Sequence, residues 1–418
     1  MDKHTQPQAS RVQRIIACVL TVIFLVTAAG FGLYGLLSDP SSVLNSLRFH
    51  KAKNYLADPN DTSFFPMTQA RIASLEYRLG KNLPLHDELS ILNASFQYGI
   101  GRDMVVEGAE NMIRLENGQL YYITTRESLA AEAQDVVDLY NYVDGRIPFL
   151  YSFVNPGFFN GGLQLPDGYD DVDTSAELAD EILATIRAAG IDTLDSRTFF
   201  EGTGLTNEEL MLKTDKHWTT LAALLATQIY AEEINRLTGA NLDVSRIQLD
   251  QFDTELYEDL FFGDFGRMVG LHNSQLEDIT IYTPKYETSM TRHSEHRTGD
   301  IEDETGSFAE AVVRMEKLEM DGDGFNTGAY TAYGLIEAYD EIINHGDCED
   351  MTILVLRDSY SAPICSFLSL MAERVVSADL RYCEKSAVEL IDEIQPDIVI
   401  VSYSRLMFED HTYNFGLE

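Results

Sequence analysis

The chain has 418 residues, of which 45% are hydrophobic, with 21 tyrosines and 21 phenylalanines; it can build a substantial core and is not a disordered polymer. Asp and Glu number 68 against 30 Lys and Arg, a formal charge of -38, which argues against a nucleic-acid partner, since phosphate contacts need a basic surface. The cysteines Cys18, Cys348, Cys365 and Cys383 show no CxxC pair and no zinc-like spacing, and with Cys18 in an apolar N-terminal run at most one disulfide is open to the other three.

Ile15 to Leu37 contains no charged residue and is long enough to cross a bilayer as a helix, which takes about 20 residues. Lys3, Arg11 and Arg14 precede it and Arg48, Lys51 and Lys53 follow, so a plain count of positive charge is a tie. Arg11 and Arg14 stand nearer the run. The pattern predicts a signal-anchor: residues 1–14 cytoplasmic, 15–37 transmembrane, and the C-terminal body outside the cytoplasm at the cell membrane. A cleaved signal peptide, with Ala28 and Ala29 as small residues, is the alternative. Cys18 precedes the bulk of the apolar run, opposite to a lipoprotein signal. Residues 38–90 read as a juxtamembrane stalk, with a helical piece at Thr68 to Leu79 among Pro59, Pro66 and Pro84.

From Ile91 short strands and turns are expected, with Asn117-Gly118 a hairpin signal between Met112 to Leu115 and Leu120 to Thr124. An α/β rhythm follows. Ile147 to Val154 reads as a core strand ending in Asn155-Pro156-Gly157. Ser175 to Ala189 reads as a helix capped by Thr174 and stopped by Gly190, Ile191 to Leu194 as a strand, and Thr219 to Thr238 as a helix capped by Thr219 and closed by Gly239. Just before that helix, Lys213 to Thr220 spells KTDKHWTT. Asp215 and His217 are two apart, so an extended backbone puts both on one side, and a carboxylate beside an imidazole fixes the tautomer a general base needs. Such a pair is also a common surface hydrogen bond. Trp218, the single tryptophan, either walls a sugar ring or packs under the following helix.

Between about residues 240 and 329 the rhythm breaks into an irregular acidic insertion. It contains Phe262-Gly263-Asp264-Phe265-Gly266, a turn whose two glycines would let backbone N–H groups approach a ligand closely. His293, Glu295 and His296 in Arg292 to Arg297 lack HExxH spacing and read as a solvated loop, not a metal site. Asp321-Gly322-Asp323-Gly324 lacks the remaining ligands of a calcium loop and reads as a turn.

Met351 to Ser361, MTILVLRDSYS, reads as a buried strand that stops at a small nucleophilic side chain, with Pro363 where a helix begins. Ser359 then lies at the carboxyl end of a strand, where open α/β sheets bind ligands, beside the free N–H groups of a helix start. A plain capping serine is the bland alternative. Pro363 to Glu373 reads as a helix, Val375 to Tyr382 as a strand ending in a polar turn, Lys385 to Ile394 as a helix and Asp397 to Ser402 as the last strand. Strands alternating with helices predict a parallel sheet covered on both faces.

Asp-x-His-Trp before a long helix, followed by Asp-Ser-Tyr after a buried strand, resembles the SGNH hydrolase-like superfamily, in particular its DHHW and alginate O-acetyltransferase-like branch. The matching pieces are Asn117 to Tyr122, Thr214 to Thr219, Tyr333-Gly334 with Ile343-Asn344, Leu356 to Tyr360, and Asp379 to Tyr382, in that order from Ile91 onward. Arg357 stands where the family usually has glycine, closer to the DHHW branch, where lysine holds that place. The resemblance implies a three-layer α/β/α domain over residues 91–418. It implies Ser359 as nucleophile, His217 as base and Asp215 as its orienting acid. Trp218, Gly263, Asn344 and Arg381 are substrate or oxyanion candidates, Arg381 alternatively a salt bridge.

The family's chemistry is movement of an acetyl group to or from a hydroxyl of an exported polysaccharide, with no cofactor or metal, often beside a polytopic membrane O-acyltransferase. The expectation is a membrane-anchored extracytoplasmic O-acetyltransferase with a polysaccharide acceptor. The alternatives are a carbohydrate acetylesterase, or a glycan-binding scaffold whose Ser, His and Asp are vestigial.

Overall fold

The computed structural model describes residues 30, 34, 37, 64–81, 86–107, 110–124, 126, 128–154, 165–166, 173–320, 325–334, 337–409 and 413–417. The expected anchor, apart from residues 30, 34 and 37, lies outside them, as do Cys18, Asn155-Pro156-Gly157 and Asp321 to Gly324. Among the described residues no helix is long and apolar enough to cross a membrane. The chain divides into two compact units, Met1–Ser90 and Ile91–Glu418.

Helix α1 (Phe64–Lys81) takes Pro66 into its first turn, where a missing N–H leaves no bond unmade. Helix α2 (His86–Gly99) occupies the stretch from Ile91 where strands were expected; strands begin only at β1 (Met104–Glu107). With β2 (Glu110–Arg114) and β3 (Leu120–Tyr122) it makes an antiparallel meander, and Gly118, at φ 83, supplies the left-handed residue of the hairpin turn the sequence predicts. The chain then runs α3 (Ala130–Val143), β4 (Phe149–Val154), α4 (Ser175–Ala188), β5 (Asp192–Asp195), α5 (Thr220–Thr238), β6 (Phe252–Phe261), α6 (Asp264–Val269), β7 (Glu277–Pro284), β8 (Met290–His296), β9 (Ile301–Gly306), β10 (Glu337–Asn344), β11 (Glu349–Arg357), α7 (Ala362–Leu368), β12 (Ala372–Ala378), α8 (Ala387–Ile394) and β13 (Ile398–Ser404).

Among the described residues the main sheet has eight strands in the order β5-β4-β13-β11-β12-β10-β8-β9. The first five are parallel, as the rhythm of strand and helix predicts, and the last three extend the sheet antiparallel. The expected wholly parallel sheet is therefore corrected to a mixed one. Alternation along the strands builds two cores. Ile353, Val355, Ile398 and Ile400 face α5 and α7, whereas Leu354, Leu356, Val399 and Val401 face α3, α4 and α8. Helices thus cover both faces.

Several helix signals act as read. The Thr219 hydroxyl accepts from the Ala222 amide to cap α5, and Gly239 closes it at φ 74. Thr174 differs: it makes no cap bond, and its hydroxyl donates to the Arg126 carbonyl at 2.7 Å, tying α4 to the segment after β3. Helix α7 ends at Leu368, short of the expected Glu373, because Ala372 already begins β12. Cys348, Cys365 and Cys383 are free thiols.

The Arg292 to His296 stretch is strand β8, not a solvated loop, and residues 290–306 supply two strands of the main sheet, so the supposed insertion is in part sheet. Its buried face is polar. Arg292, 1% exposed, donates from Nε and Nη2 to both Asp340 carboxylate oxygens at 2.8 and 2.9 Å and from Nη1 to the Val312 carbonyl at 2.6 Å. Glu337, fully buried, lies 3.5 Å from Arg292 and 2.9 Å from Arg314. His293 and His296, on the same strand, pair with Asp303 and Glu302 of β9.

Replacing Asp340 by Ala leaves the Arg292 charge buried without its bidentate partner and is expected to cost about 3–5 kcal/mol. Urea denaturation measures it, and a loss under about 1 kcal/mol, the scale of an exposed pair, contradicts the account. Burial alone raises the Glu337 carboxyl, but Arg292, Arg314 and Arg357 outweigh it and lower it from 4.5 to about 2. A depressed carboxylate contributes stability that is complete above its unfolded value and lost as pH falls through its folded one. Wild type should therefore lose more stability than Glu337→Gln between pH 4.5 and about 2, read as melting temperature against pH.

Candidate active site

The Asp215–His217 loop is built by its neighbours. Met211 bridges Trp218, the Leu212 amide donates to the His217 carbonyl at 3.1 Å, and the Thr219 amide donates to the Leu210 carbonyl at 2.9 Å, so residues 211–218 form a narrow loop at the entry to α5. Its tip hangs on Glu277, the first residue of β7. That carboxylate accepts the Lys213 and Thr214 amides at 2.6 and 2.7 Å and also the Thr214 hydroxyl. Burial raises the Glu277 carboxyl above its ordinary range, partly offset by these donors.

The backbone here bends instead of running extended, and the pairing arises differently from the expected alternation. Asp215 Oδ1 accepts the His217 amide at 3.1 Å and lies 2.5 Å from Nδ1 of its ring. The other oxygen, Oδ2, accepts the Asp264 amide at 3.1 Å. Burial alone would raise the Asp215 carboxyl, but His217, Lys216 and the Asp264 amide hold it well below the usual carboxylate range.

On the other side of the sheet edge, β11 ends at Arg357 and the chain enters a short turn, Ser359–Ser361, before α7. Asp358 directs this turn. Fully buried, its carboxylate accepts the Tyr360 amide at 3.0 Å and the Ser404 amide at 2.7 Å, joining the ends of β11 and β13. Burial pushes the Asp358 carboxyl up from its ordinary value. Ser359 is thereby presented half-buried at the carboxyl edge, and His217 Nε2 lies 2.7 Å from its Oγ.

Ser359, His217 and Asp215 thus meet, across 142 positions of chain, in the order hydroxyl, imidazole, carboxylate. Such an arrangement can remove a proton from the serine, hold the resulting positive charge on the imidazole, and leave an alkoxide-like nucleophile for an acyl carbon.

The remaining candidates lie differently. Trp218 is fully buried and its Nε1–H donates to the Tyr360 carbonyl at 3.1 Å, so it packs under the loop and faces no sugar. The Gly263 amide already donates to Thr214 Oγ1 at 3.0 Å and is not available to an oxyanion. Its glycine serves close approach: a Cβ there would fall 2.5 Å from both Asp215 Cβ and the Thr214 carbonyl oxygen. Asn344 ends β10, which runs antiparallel to β12 with Ile343 opposite Arg374, placing it at the edge of the sheet away from Ser359. Its Nδ2 donates to the Ser369 carbonyl at 2.8 Å, and it is corrected to a structural residue. Arg381 does follow β12 at the carboxyl edge, with its guanidinium bonded to Asp379 at 2.8 and 2.6 Å, the salt-bridge alternative.

Residues that the sequence did not point to complete the site. Glu277 holds the loop; Tyr330 stacks on the His217 ring; and Arg405, just past β13, donates to Thr124 Oγ1 and the Tyr122 carbonyl while lying 4.4 Å over the Tyr121 ring. None has a spacing that links it to Asp215 or Ser359. Tyr360, the last residue of the Asp-Ser-Tyr motif, donates its hydroxyl to the Lys216 carbonyl. A cavity of about 10 Å³, room for one water, lies behind the loop among Asp215, Lys216, Tyr360 and Arg405.

Residues 164–311 match the family described as the SGNH hydrolase-like domain of the acetyltransferase AlgX. That stretch of the chain is similar to an SGNH hydrolase-like domain. No curated protein sequence matches it significantly. Solved structures resemble this chain in fold. A DHHW family protein from Eubacterium siraeum superposes with a TM-score of 0.53 at 16% identity, over 75% of this chain and 96% of that one. PatB1 of Bacillus cereus, in a structure with a sulfonyl adduct, superposes with a TM-score of 0.59 at 17% identity, over 74% and 99%. The family match includes Asp215 and His217 and ends before Ser359, so the serine enters the site on the geometry of this chain alone.

Gly263→Ala is expected to push the Asp215 loop aside, at an overpacking cost of about 1–3 kcal/mol, and to slow covalent labelling of Ser359 by a sulfonyl fluoride. Mass spectrometry of labelled Ser359 over time measures this. Labelling at the wild-type rate in the variant contradicts the close-approach argument.

Proposed function

We propose that this chain is an O-acetyltransferase of the cell envelope, acting on an exported or cell-surface polysaccharide through Ser359, His217 and Asp215. The observation that carries the proposal is the unbroken path Ser359 Oγ, His217 Nε2, His217 Nδ1, Asp215 Oδ1, with separations of 2.7 and 2.5 Å. The match of residues 164–311 to an acetyltransferase domain family supplies the acyl group.

In the proposed mechanism His217 accepts the Ser359 proton as Oγ attacks the carbonyl carbon of an acetyl ester. Negative charge moves to the carbonyl oxygen, where the Ser359 amide, at a helical start and without an intrahelical acceptor, is the proposed donor. The intermediate collapses, His217 returns its proton to the departing alcohol, and an acetyl-serine remains. A sugar hydroxyl then attacks with His217 again taking the proton, and the Ser359 oxygen leaves reprotonated. Asp215, kept ionised, steadies the imidazolium in both halves.

The charge-free run Ile15 to Leu37 supports a single-pass signal-anchor with the α/β domain outside the cytoplasm, and the membrane partner proposed is a polytopic O-acyltransferase that delivers acetyl groups. Hydrolysis is the second reading, favoured by one observation: Ser359 is half-buried, so water can reach it as well as a sugar.

The test uses the full-length chain in detergent with 4-nitrophenyl acetate as donor and sugar oligomers as acceptors, read by mass spectrometry. Ser359→Ala and His217→Ala are each expected to lower acetyl transfer by about 10²–10⁴-fold. Full transfer by Ser359→Ala removes the proposal. Acetate release with no acetylated oligomer at any acceptor concentration makes the protein an esterase, and complementation in cells by Ser359→Ala makes it a scaffold. Recovery of the protein in the supernatant after carbonate extraction of membranes would overturn the anchor.

A further inference from the structure

The His217 ring is held by more than its two hydrogen bonds. Tyr330 lies nearly parallel to it, with ring centroids 4.0 Å apart and planes 17° apart, and Tyr360 leans on it at 4.8 Å and 47°. The bonds to Asp215 and Ser359 fix where the ring nitrogens point within the ring plane. Hydrogen bonds tolerate a modest tilt of the ring out of that plane, because their angular preference is broad. A flat neighbour resists it directly.

Tyr330 can do this because its own segment is anchored. It sits in the short helical turn Ala329–Tyr333. The Arg314 amide donates to the Ala332 carbonyl at 2.8 Å, and Ser366 Oγ donates to the Tyr333 carbonyl at 2.8 Å. The Tyr333 hydroxyl accepts the Tyr282 amide at 2.7 Å and donates to the Tyr282 carbonyl at 2.9 Å. Among the described residues the Tyr330 hydroxyl reaches only the Ser359 carbonyl, at 3.4 Å, long for an O–H···O bond, so the ring rather than the hydroxyl makes the contact that matters. Burial, with Asp215 and Asp358 nearby, raises the phenol well above 10.0, so it stays neutral. A neutral aromatic face against an imidazole attracts the positive charge that ring gains when it takes a proton.

We propose that Tyr330 is a positioning residue for acyl transfer: its ring keeps the His217 plane aligned between Ser359 and Asp215 and lies face-on to the charge that imidazole acquires. The proposal rests on the reading of Ser359, His217 and Asp215 given above. It places a required group in the segment between β9 and β10, outside the matched residues 164–311.

The experiment compares Tyr330→Phe, Tyr330→Leu and Tyr330→Gln with wild type in the full-length chain, using 4-nitrophenyl acetate hydrolysis with kcat and KM resolved, and Ser359→Ala as control. Phe, which keeps the ring, should stay within about threefold of wild-type kcat, whereas Leu and Gln should lose about 10–100-fold in kcat with KM within about twofold. The downfield proton resonance of the His217–Asp215 bond should persist in Phe and broaden in Leu. Wild-type kcat in the Leu variant overturns the proposal, as does an equal loss in Phe and Leu, or a loss confined to KM. A Leu variant that circular dichroism shows unfolded leaves Gln to decide on the same terms. If Ser359→Ala hydrolyses at the wild-type rate, the site reading itself falls and takes this proposal with it. That outcome is distinct from an inert Ser359→Ala beside a fully active Tyr330→Leu.

Discussion

The site depends on one reciprocal contact between two turns that are remote in sequence. Trp218 donates its indole N–H to the Tyr360 carbonyl at 3.1 Å, and Tyr360 returns its hydroxyl to the Lys216 carbonyl. Both side chains are fully buried, so breaking either bond costs the desolvation of a polar group, a penalty of about 1–3 kcal/mol each. This explains why an Asp-x-His-Trp segment and an Asp-Ser-Tyr segment belong together. The tryptophan and tyrosine are the fasteners, and the aspartate, histidine and serine are what they hold in register. Trp218 thereby holds these side chains together from inside the protein.

The mixed sheet gives this fastening a stiff base. Its parallel half carries Ser359 at the end of β11, and its antiparallel half is joined to it through buried charge. Arg357, 1% exposed and standing where glycine is usual in the resembling family, donates from Nε to Ser377 Oγ at 3.2 Å and from Nη2 to the Glu337 carbonyl at 3.4 Å. A guanidinium so deeply buried needs acidic company. Glu337 and Asp340 provide it together with Arg292 and Arg314, so the departure at Arg357 and the polar face of β8 are two parts of one arrangement.

What was legible in the sequence follows from where its signals come from. Met351 to Leu356 is apolar on both faces and could only be an interior strand; Thr219 and Gly239 bracket a long apolar helix; Asp215, His217 and Ser359 are residue types whose chemistry limits their partners. Strand β8 was misread because Arg292 and Ser294, its inward residues, are polar, and burial satisfied by ion pairs leaves the same sequence pattern as exposure to water. Gly263 was recognised as a point of close approach, but to Asp215 instead of a ligand. Asn344 failed because strand direction decides which edge a residue occupies, and the direction of β10 is not written in its own residues. Glu277 and Tyr330 act through contacts made only by the folded chain.

Among the described strands β9 ends the main sheet on one side, and it carries Glu302, Asp303 and Glu304 in succession, all exposed, the first two also paired with His296 and His293 of β8. A second molecule aligning its own β9 there would bring two rows of carboxylates into facing register before any backbone bond could close. The protein's large surplus of negative charge is therefore useful locally: this margin repels its own likeness, and lateral polymerisation of the sheet is opposed where the backbone would otherwise invite it.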